Sequence, residues 1–312
     1  MFERAEKYVI VVIFLLLGLS TGLSLLRHVP VAYYVYDVAL AFDLFFIMLG
    51  QFYRTVRKNA SIASAATAVG LLLMAGQLIP VFNYLLLPYK FHGVDAVLAD
   101  VDRKMGFVWA SYAITMAQFP KFCALLKFVY QSTFWQIVGM VFLLGLFGRT
   151  QEVARMTLAT VMGATVTIAI WALMPSSTPA AFETLPADIA AKLQLVVSPD
   201  YGAELVRLSY AGVTLVTPGK MLGIVGFPSF HTVMAIIVVW YARSLPVVGI
   251  LIALLNILML PAILLHGAHN LVDVFGGVAV ATFAIRFAAK AAAAPDPLLR
   301  TTTAPQASLS GA

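Results

Sequence analysis

Charged residues are scarce in this sequence: they make up 11% of its 312 positions, whereas hydrophobic residues make up 62%. Soluble domains carry about a quarter charged residues, so this composition argues against a soluble enzyme and indicates a membrane protein. Lys and Arg do not cluster on a soluble segment, as binding to nucleic acid would require. We therefore expect membrane lipid, and not nucleic acid, among the partners.

Cysteine is almost absent as well. The single cysteine, Cys123, excludes an internal disulfide and any metal site built from several thiolates. The first apolar run follows a charged start but lacks a small-x-small cleavage site, so we expect a retained first helix and not a removed signal peptide.

Long apolar runs are what the sequence does contain, and each is close to the roughly twenty residues that cross a bilayer. They predict an all-α polytopic membrane bundle of about eight transmembrane helices. The predicted spans are 8–26, 33–53, 61–85, 122–147, 152–174, 229–243, 246–265 and 270–289. Amphipathic segments are expected between the third and fourth spans, and a long loop with an irregular, glycine-rich ending between the fifth and sixth.

Several polar residues lie inside these apolar runs, where lipid contact is unfavourable. We expect them to face neighbouring helices; they are Asp37, Asp43, Gln77, Gln131, Gln136 and Asn256.

The distribution of positive charge predicts the orientation. Arg54, Arg149, Arg243 and Arg286 occupy short connections or the C-terminal flank, which the positive-inside rule assigns to the cytoplasm. Eight spans then place both termini in the cytoplasm. The longer connections would open to the periplasm, or to an equivalent exoplasmic face.

One polar stretch, "HGAHNLVD", stands at the start of the last apolar run. His269 and Asp273 are four residues apart, so on a helix they would share one face. A carboxylate that holds one imidazole nitrogen leaves the other free as nucleophile or base. The alternative is a purely structural His–Asp bond that stabilises a helix end.

A second stretch, "GFPSFH", precedes the sixth span. Ser229 and the amides that follow would form an anion-binding cradle at a helix start, with His231 in the first turn. The alternative is a serine cap beside an unrelated histidine. Together the two stretches indicate phosphoryl transfer through a phosphohistidine, in which His269 attacks phosphorus and His231 protonates the leaving oxygen.

The residues "PSFH" and "HNLVD" resemble the second and third signature motifs of the type 2 phosphatidic acid phosphatase superfamily, and the resemblance extends over about Val94 to Arg286 with "DRKMGF". It implies a helical bundle with a six-helix phosphatase-like core that works without a metal or other cofactor. It also implies that His231 is the acid and base, His269 the nucleophile, Asp273 its orienting partner and Ser229 a phosphate ligand.

The sequence departs from these motifs in three ways. Phe230 stands where glycine is usual. Ile263 stands where arginine is usual and the first motif has no match, and these two departures concern the phosphate-binding cations. These departures resemble the branch of inositol phosphorylceramide synthases and their bacterial relatives. Lys220 is the leading candidate for the missing cation, ahead of Arg207 and the Arg103/Lys104 pair.

His266 invites a metal interpretation, because it lies three residues before His269 and seven before Asp273. Gly267 makes a turn at His266 more plausible than a helix, so a loop carbonyl or the substrate is the expected partner of His266. The predicted substrate-binding residues are Ser229, Phe230, Lys220 and His266, and no metal ligand is predicted.

These observations predict three regions: N-terminal transmembrane helices at 1–85, a catalytic membrane core at 86–290 and a disordered tail at 291–312. The expected enzyme resides in the bacterial inner membrane and cleaves a phosphorylated lipid at the outer face. An acceptor alcohol such as inositol would make it a phosphotransferase. Two other possibilities are a non-catalytic scaffold and a transporter that retain the fold.

Overall fold

The chain is folded into helices, as the composition predicted. The computed structural model describes residues 2–88, 93–218 and 221–293, and these ranges contain no strand, only one bridge between Val31 and Val216. The helices are α1 Arg4–Arg27, α2 Asp37–Thr55, α3 Ala60–Leu85, α4 Asp95–Lys104, α5 Trp109–Met116, α6 Pro120–Gln131, α7 Thr133–Leu146, α8 Thr150–Leu173, α9 Ala187–Leu193, α10 Pro199–Ala211, α11 Phe230–Ala242, α12 Pro246–Ile257, α13 Met259–His266 and α14 Leu271–Ala293, with short 3-10 turns at Tyr33–Tyr36 and Pro179–Ala181. The all-α prediction is confirmed.

Six helical segments of the described chain are long and apolar enough to cross a membrane, which indicates an integral membrane protein. They are α1, Tyr33–Thr55, α3, α8, Pro246–His266 and α14. The other two predicted spans are helical but irregular. The fourth is a pair, α6 and α7, bent by 52°, and the sixth is the 13-residue α11.

The irregular spans have local causes. Ser132 separates α6 from α7, and its hydroxyl donates to the Val129 carbonyl at 2.7 Å. α11 begins only after the irregular segment 221–229. Its 13 residues extend over about 20 Å, less than the roughly 30 Å of a hydrocarbon core. α11 alone is therefore too short to cross a hydrocarbon core.

One apolar core joins α1, α3, α7, α8, α11 and α14. α8 and α11 are in close contact at Gly163, where an added Cβ would lie only 2.7 Å from a Val233 methyl carbon. The boundary at residue 85 stays a prediction. α14 continues to Ala293, and the remainder of the predicted disordered tail lies outside the described residues.

Polar side chains inside the bundle pair across helices. Gln77 donates to Asp43 at 2.7 Å, and Asn256 donates to Gln136 at 2.7 Å. Asp37 and Gln131, in contrast, are exposed. The short helices α4, α5, α9 and α10 gather at the end of the bundle where α11 and α14 begin, whereas the Glu6–Arg54 ion pair marks the opposite end.

Candidate active site

His269 and Asp273 form a buried pair at the start of α14. The Nδ1 atom of His269 lies 3.1 Å from Oδ2 of Asp273, and only 4% of His269 is exposed. No described residue hydrogen bonds to the Nε2 atom of His269. The carboxylate therefore fixes the ring through Nδ1 and leaves Nε2 free to act.

The pair does not share a helix face in the way the spacing suggested. α14 begins at Leu271, so His269 precedes the helix and Asp273 occupies its first turn. Asp273 reaches back and also accepts the amide of Asn270 at 2.9 Å, as acidic residues in a first turn often do. The pairing was predicted, but its geometry is that of a helix cap.

Asp102 on α4 holds the same helix start from outside. Its two carboxylate oxygens accept the amides of Leu271 at 2.6 Å and Val272 at 2.9 Å. Burial raises the pKa of Asp102, while these two amides act in the opposite direction by favouring the carboxylate. Asp102 opens the "DRKMGF" segment noted in the sequence, but nothing there indicated its contact with α14.

Ser229 links the two motifs directly. Its backbone amide donates to the Asp273 carbonyl at 3.0 Å, and its hydroxyl accepts the Thr232 amide at 3.4 Å as the cap of α11. Ser229 is fully buried, and its side chain and its amide both have protein partners. The structure thus supplies the serine cap that was weighed as an alternative, and the phosphate contact stays a prediction.

Two glycines of α14 allow the start of α11 to lie close to α14. A Cβ on Gly277 would lie 2.6 Å from the Ser229 carbonyl oxygen and 2.6 Å from Cβ of Thr232. A Cβ on Gly276 would lie 2.5 Å from the Phe227 ring. Any larger side chain would therefore push the start of α11 away from α14.

His231 lies in the first turn of α11, half-buried, and its ring stacks on Tyr130 of α6. The ring centroids are 4.0 Å apart and the planes differ by 19°. The stack fixes the plane of the imidazole. Tyr130 could not be identified from the sequence, because an aromatic residue in an apolar run gives no sign of a distant partner.

Three of the candidate residues, His231, His269 and Phe230, line one cavity of about 380 Å³. Its wall also carries the side-chain oxygen Oδ1 of Asn83 and the Thr178 hydroxyl, which are buried and have no hydrogen-bond partner among the described residues. Burial raises the pKa of Tyr201 to about 12, so its phenol stays protonated and donates to the Gly223 carbonyl.

A second, apolar cavity of about 330 Å³ adjoins this one, and both are lined by Tyr130, Phe230 and His231. It runs between α3, α7, α8 and α11, and most of its wall is hydrocarbon, including Leu72, Ile137 and Met234 among others. The site therefore has a polar part beside the histidines and an apolar extension toward the bundle interior.

The loop after α8 supports the floor of the site. Ser176 accepts the Phe227 amide through its hydroxyl at 2.6 Å and the Gly226 amide through its carbonyl at 3.2 Å. Gly226 has no room for a side chain, because a Cβ there would collide with the Ser177 carbonyl. Asp95 of α4 accepts the Ser177 amide at 2.7 Å, which ties this loop to the same helix as Asp102.

The remaining predicted residues lie elsewhere. His266 does not line this cavity; it is fully buried, and its Nε2 pairs with the Cys123 carbonyl at 2.9 Å. Arg207 pairs with Glu204, and Arg103 and Lys104 pair with Asp100, all on exposed helix faces.

Lys220 lies outside the described residues. Among the described residues that line the catalytic cavity there is no Lys or Arg. The described part of the chain also shows no group of three His, Cys, Asp or Glu side chains suited to hold a metal ion.

Comparison with known proteins gives one match. Residues 96–287 match the sequence model of the PAP2 superfamily, which is more than half of the chain. This confirms the resemblance of the two motifs at the level of the superfamily, while the inositol phosphorylceramide synthase branch stays a prediction. No curated protein and no solved structure matches the chain.

Proposed function

Since the chain belongs to the PAP2 superfamily, we propose that it is a membrane phosphatase or phosphotransferase that cleaves a phosphoester of an amphiphile through a phosphohistidine on His269. The observation that carries the proposal is the shared cavity. His269, held through Nδ1 by Asp273, and His231, held by Tyr130, line the same space. A nucleophile and a separate acid are what phosphoester cleavage by a covalent route requires.

In the proposed first step, Nε2 of His269 attacks phosphorus as the bond to the leaving oxygen breaks. His231 donates its proton to that oxygen, which departs as an alcohol. The N-phosphorylated ring carries positive charge, and the Asp273 carboxylate at Nδ1 stabilises it. Water or an acceptor hydroxyl then loses its proton to His231 and attacks phosphorus. The N–P bond breaks, and His269 is regenerated.

The substrate is proposed to be amphiphilic because the polar cavity continues into an apolar one. A phosphate near His231 and His269 would leave an attached chain beside residues such as Met234 and Ile137. Small-molecule pockets with mostly apolar walls and a few placed polar groups suit such ligands.

The cation that holds the phosphate is proposed to be Lys220, since no Lys or Arg is among the described lining residues. Leu222 and Gly223, which follow Lys220 closely in sequence, are part of the cavity wall. A wall with few cations favours a phosphodiester, whose single negative charge needs less compensation than a monoester. This supports the phosphotransferase branch with an acceptor such as inositol.

The site is proposed to face the periplasm of a bacterial inner membrane, with both termini cytoplasmic. α11 and α14 begin at the site end. At the opposite end, Arg54 lies in the last turn of α2, Arg149 precedes α8 and Arg243 follows α11. Positive charge in short connections is typical of the cytoplasmic side.

The test uses the purified protein and His269→Ala in detergent, with a panel of lipid phosphates and phosphodiesters. Released inorganic phosphate (from monoesters) and phosphomonoester (from phosphodiesters) are measured, together with head-group exchange in added inositol or glycerol. Phosphate release by the wild type alone would identify a phosphatase, and exchange without release a phosphotransferase. Inactivity of the wild type across the panel would contradict the proposal and favour the scaffold or transporter.

A further inference from the structure

A separate cavity of about 510 Å³ lies between α1, α2 and α3, with Asp43 and Gln77 in its wall. The catalytic and apolar cavities contact the opposite face of α3, through Leu72 and Ile79 among others. The three helices around the separate cavity end before residue 96, where the superfamily match begins. This cavity is therefore independent of the proposed active site.

Asp43 is the reason to regard this cavity as a binding site. It is the eleventh residue of the 23-residue span Tyr33–Thr55, and only 1% of it is exposed. A carboxylate at mid-membrane is unfavourable unless it serves a function or has partners. Gln77 donates to Oδ2 at 2.7 Å, but no described residue hydrogen bonds to Oδ1.

Helix packing alone does not require this carboxylate. α2 and α3 are already in close contact at two glycines. A Cβ on Gly70 would lie 2.7 Å from the Asp43 carbonyl oxygen, and one on Gly50 would collide with Thr67. A neutral Asn would accept the Gln77 hydrogen bond equally well without placing a charge in the membrane.

The shape and polarity of the cavity indicate its ligand. Lining positions on α2 extend from Asp37 to Ile47, about 15 Å along the helix or half of a hydrocarbon core. The other polar groups are acceptors or phenols, including Tyr36, whose hydroxyl is buried and has no hydrogen-bond partner in the described part of the chain. No Lys, Arg or His is among the described lining residues, so the wall disfavours an anion and suits a hydrogen-bond donor.

We propose that this cavity binds a long-chain amphiphile whose head group donates a hydrogen bond to the free oxygen of Asp43. The chain lies along apolar residues such as Ile13 and Leu44. A hydroxyl and an ammonium share the required donor chemistry. They differ in charge. An ammonium requires the negative charge of Asp43, whereas a hydroxyl requires only an acceptor oxygen at position 43.

The test is photolabelling of the full-length protein in detergent with three probes: hexadecanol, hexadecylamine and hexadecanoic acid, each with a diazirine in the chain. Labelled peptides are located by mass spectrometry, with the unlabelled compound as competitor. The wild type is expected to show competable labelling in residues 37–47 and 71–81 by the alcohol or the amine, and none by the fatty acid.

Variants then test whether the head group of the probe contacts Asp43. Asp43→Leu is expected to lower the competable labelling about tenfold or more, because a donor would be buried without a partner. Asp43→Asn keeps an acceptor without charge, so it should retain labelling by the alcohol and lose labelling by the amine. If Asp43→Leu does not fold, Leu40→Trp serves instead. Leu40 lines the cavity and is 43% exposed, so a larger ring there fills the space without disturbing the core.

Equal labelling by the three probes, or labelling that excess competitor and the variants leave unchanged, would overturn the proposal and indicate ordinary lipid contact. Phosphate release or head-group exchange is measured in the same preparations. It is expected to be unchanged in Asp43→Leu, so failure of this proposal is distinguishable from failure of the proposed enzyme activity.

Discussion

The amide of Leu271 donates a 2.6 Å hydrogen bond to Asp102, a residue 169 positions earlier in the chain. This contact fixes the first turn of α14 beside His269. Together with the second bond from Val272, it provides an N-terminal cap that comes from another helix. The pair of His269 and Asp273 is thus supported by α4, an amphipathic helix that lies outside the membrane-spanning segments.

Asp102→Asn should weaken this support. The amide nitrogen of Asn cannot accept a hydrogen bond, so one backbone amide of α14 loses its acceptor. We expect a loss of about 1–3 kcal/mol in unfolding free energy and about a tenfold lower kcat from displaced catalytic groups. Thermal unfolding and steady-state kinetics measure the two effects.

Asp100→Asn is the matched control on the same helix. Asp100 is exposed, and its ion pairs among the described residues are with Arg103 and Lys104, so both properties should stay close to the wild type. A purely structural role of Asp102 would lower stability and leave kcat and KM of the folded fraction unchanged.

Asp273→Asn separates orientation from charge. An Asn oxygen can still accept from His269 and from the Asn270 amide, so the ring should keep its position. The lost negative charge no longer stabilises the phosphorylated ring, and we expect kcat to fall about 10- to 100-fold. Asp273→Ala removes both contributions and should cost about 1,000-fold or more. Equal kinetics for the two variants would show that the charge of Asp273 has no separate role.

Gly277→Ala tests the close approach of α11 to α14. The added methyl would lie 2.6 Å from the Ser229 carbonyl and must displace the start of α11. We expect a destabilisation of about 1–3 kcal/mol and lower activity, because His231 moves relative to His269.

At Gly22 in α1, no described atom outside the adjacent residues and the helix's own nearby backbone lies within 4 Å of an added methyl, so Gly22→Ala should be neutral or slightly stabilising. Melting temperature and turnover of the two proteins are compared side by side. A Gly277→Ala protein with wild-type turnover would show that this spacing does not matter for activity.

Tyr130 should act through its ring. Tyr130→Phe keeps the 4.0 Å stack on His231 and is expected to stay within about threefold of wild-type kcat. Tyr130→Ala removes the stack, frees the imidazole to rotate and should lower kcat about tenfold or more. If Phe and Ala reduce kcat equally, the hydroxyl is the important group.

The sequence allowed the class of fold and the central histidines to be predicted for a physical reason. His269, Asp273 and His231 stand at boundaries between polar loops and apolar runs, where polar residues are conspicuous. The pair of His269 and Asp273 is local, so its spacing carries information about contact.

The supporting residues could not be predicted in the same way. Asp102 and Tyr130 act through partners far away in sequence, and their contacts depend on how α4 and α6 pack against the bundle. The bend at Ser132 was also missed, because hydropathy measures apolar length and not helix continuity. The short α11, in contrast, agrees with the predicted span 229–243, which was itself short.

The most direct test of the account is to trap the phosphoenzyme. His231→Ala removes the group that activates water or acceptor, so the enzyme is mixed with a phosphate-labelled aryl phosphoester of an amphiphile and quenched after seconds. The phenolate of such a substrate leaves without the proton that His231 would donate, so the first step still proceeds in the variant. Peptide mass spectrometry then locates the phosphate. The account predicts an acid-labile, base-stable phosphoryl group on His269 and none in His231→Ala/His269→Ala. A phosphoryl group on another residue, or turnover by His269→Ala at the wild-type rate, would contradict it.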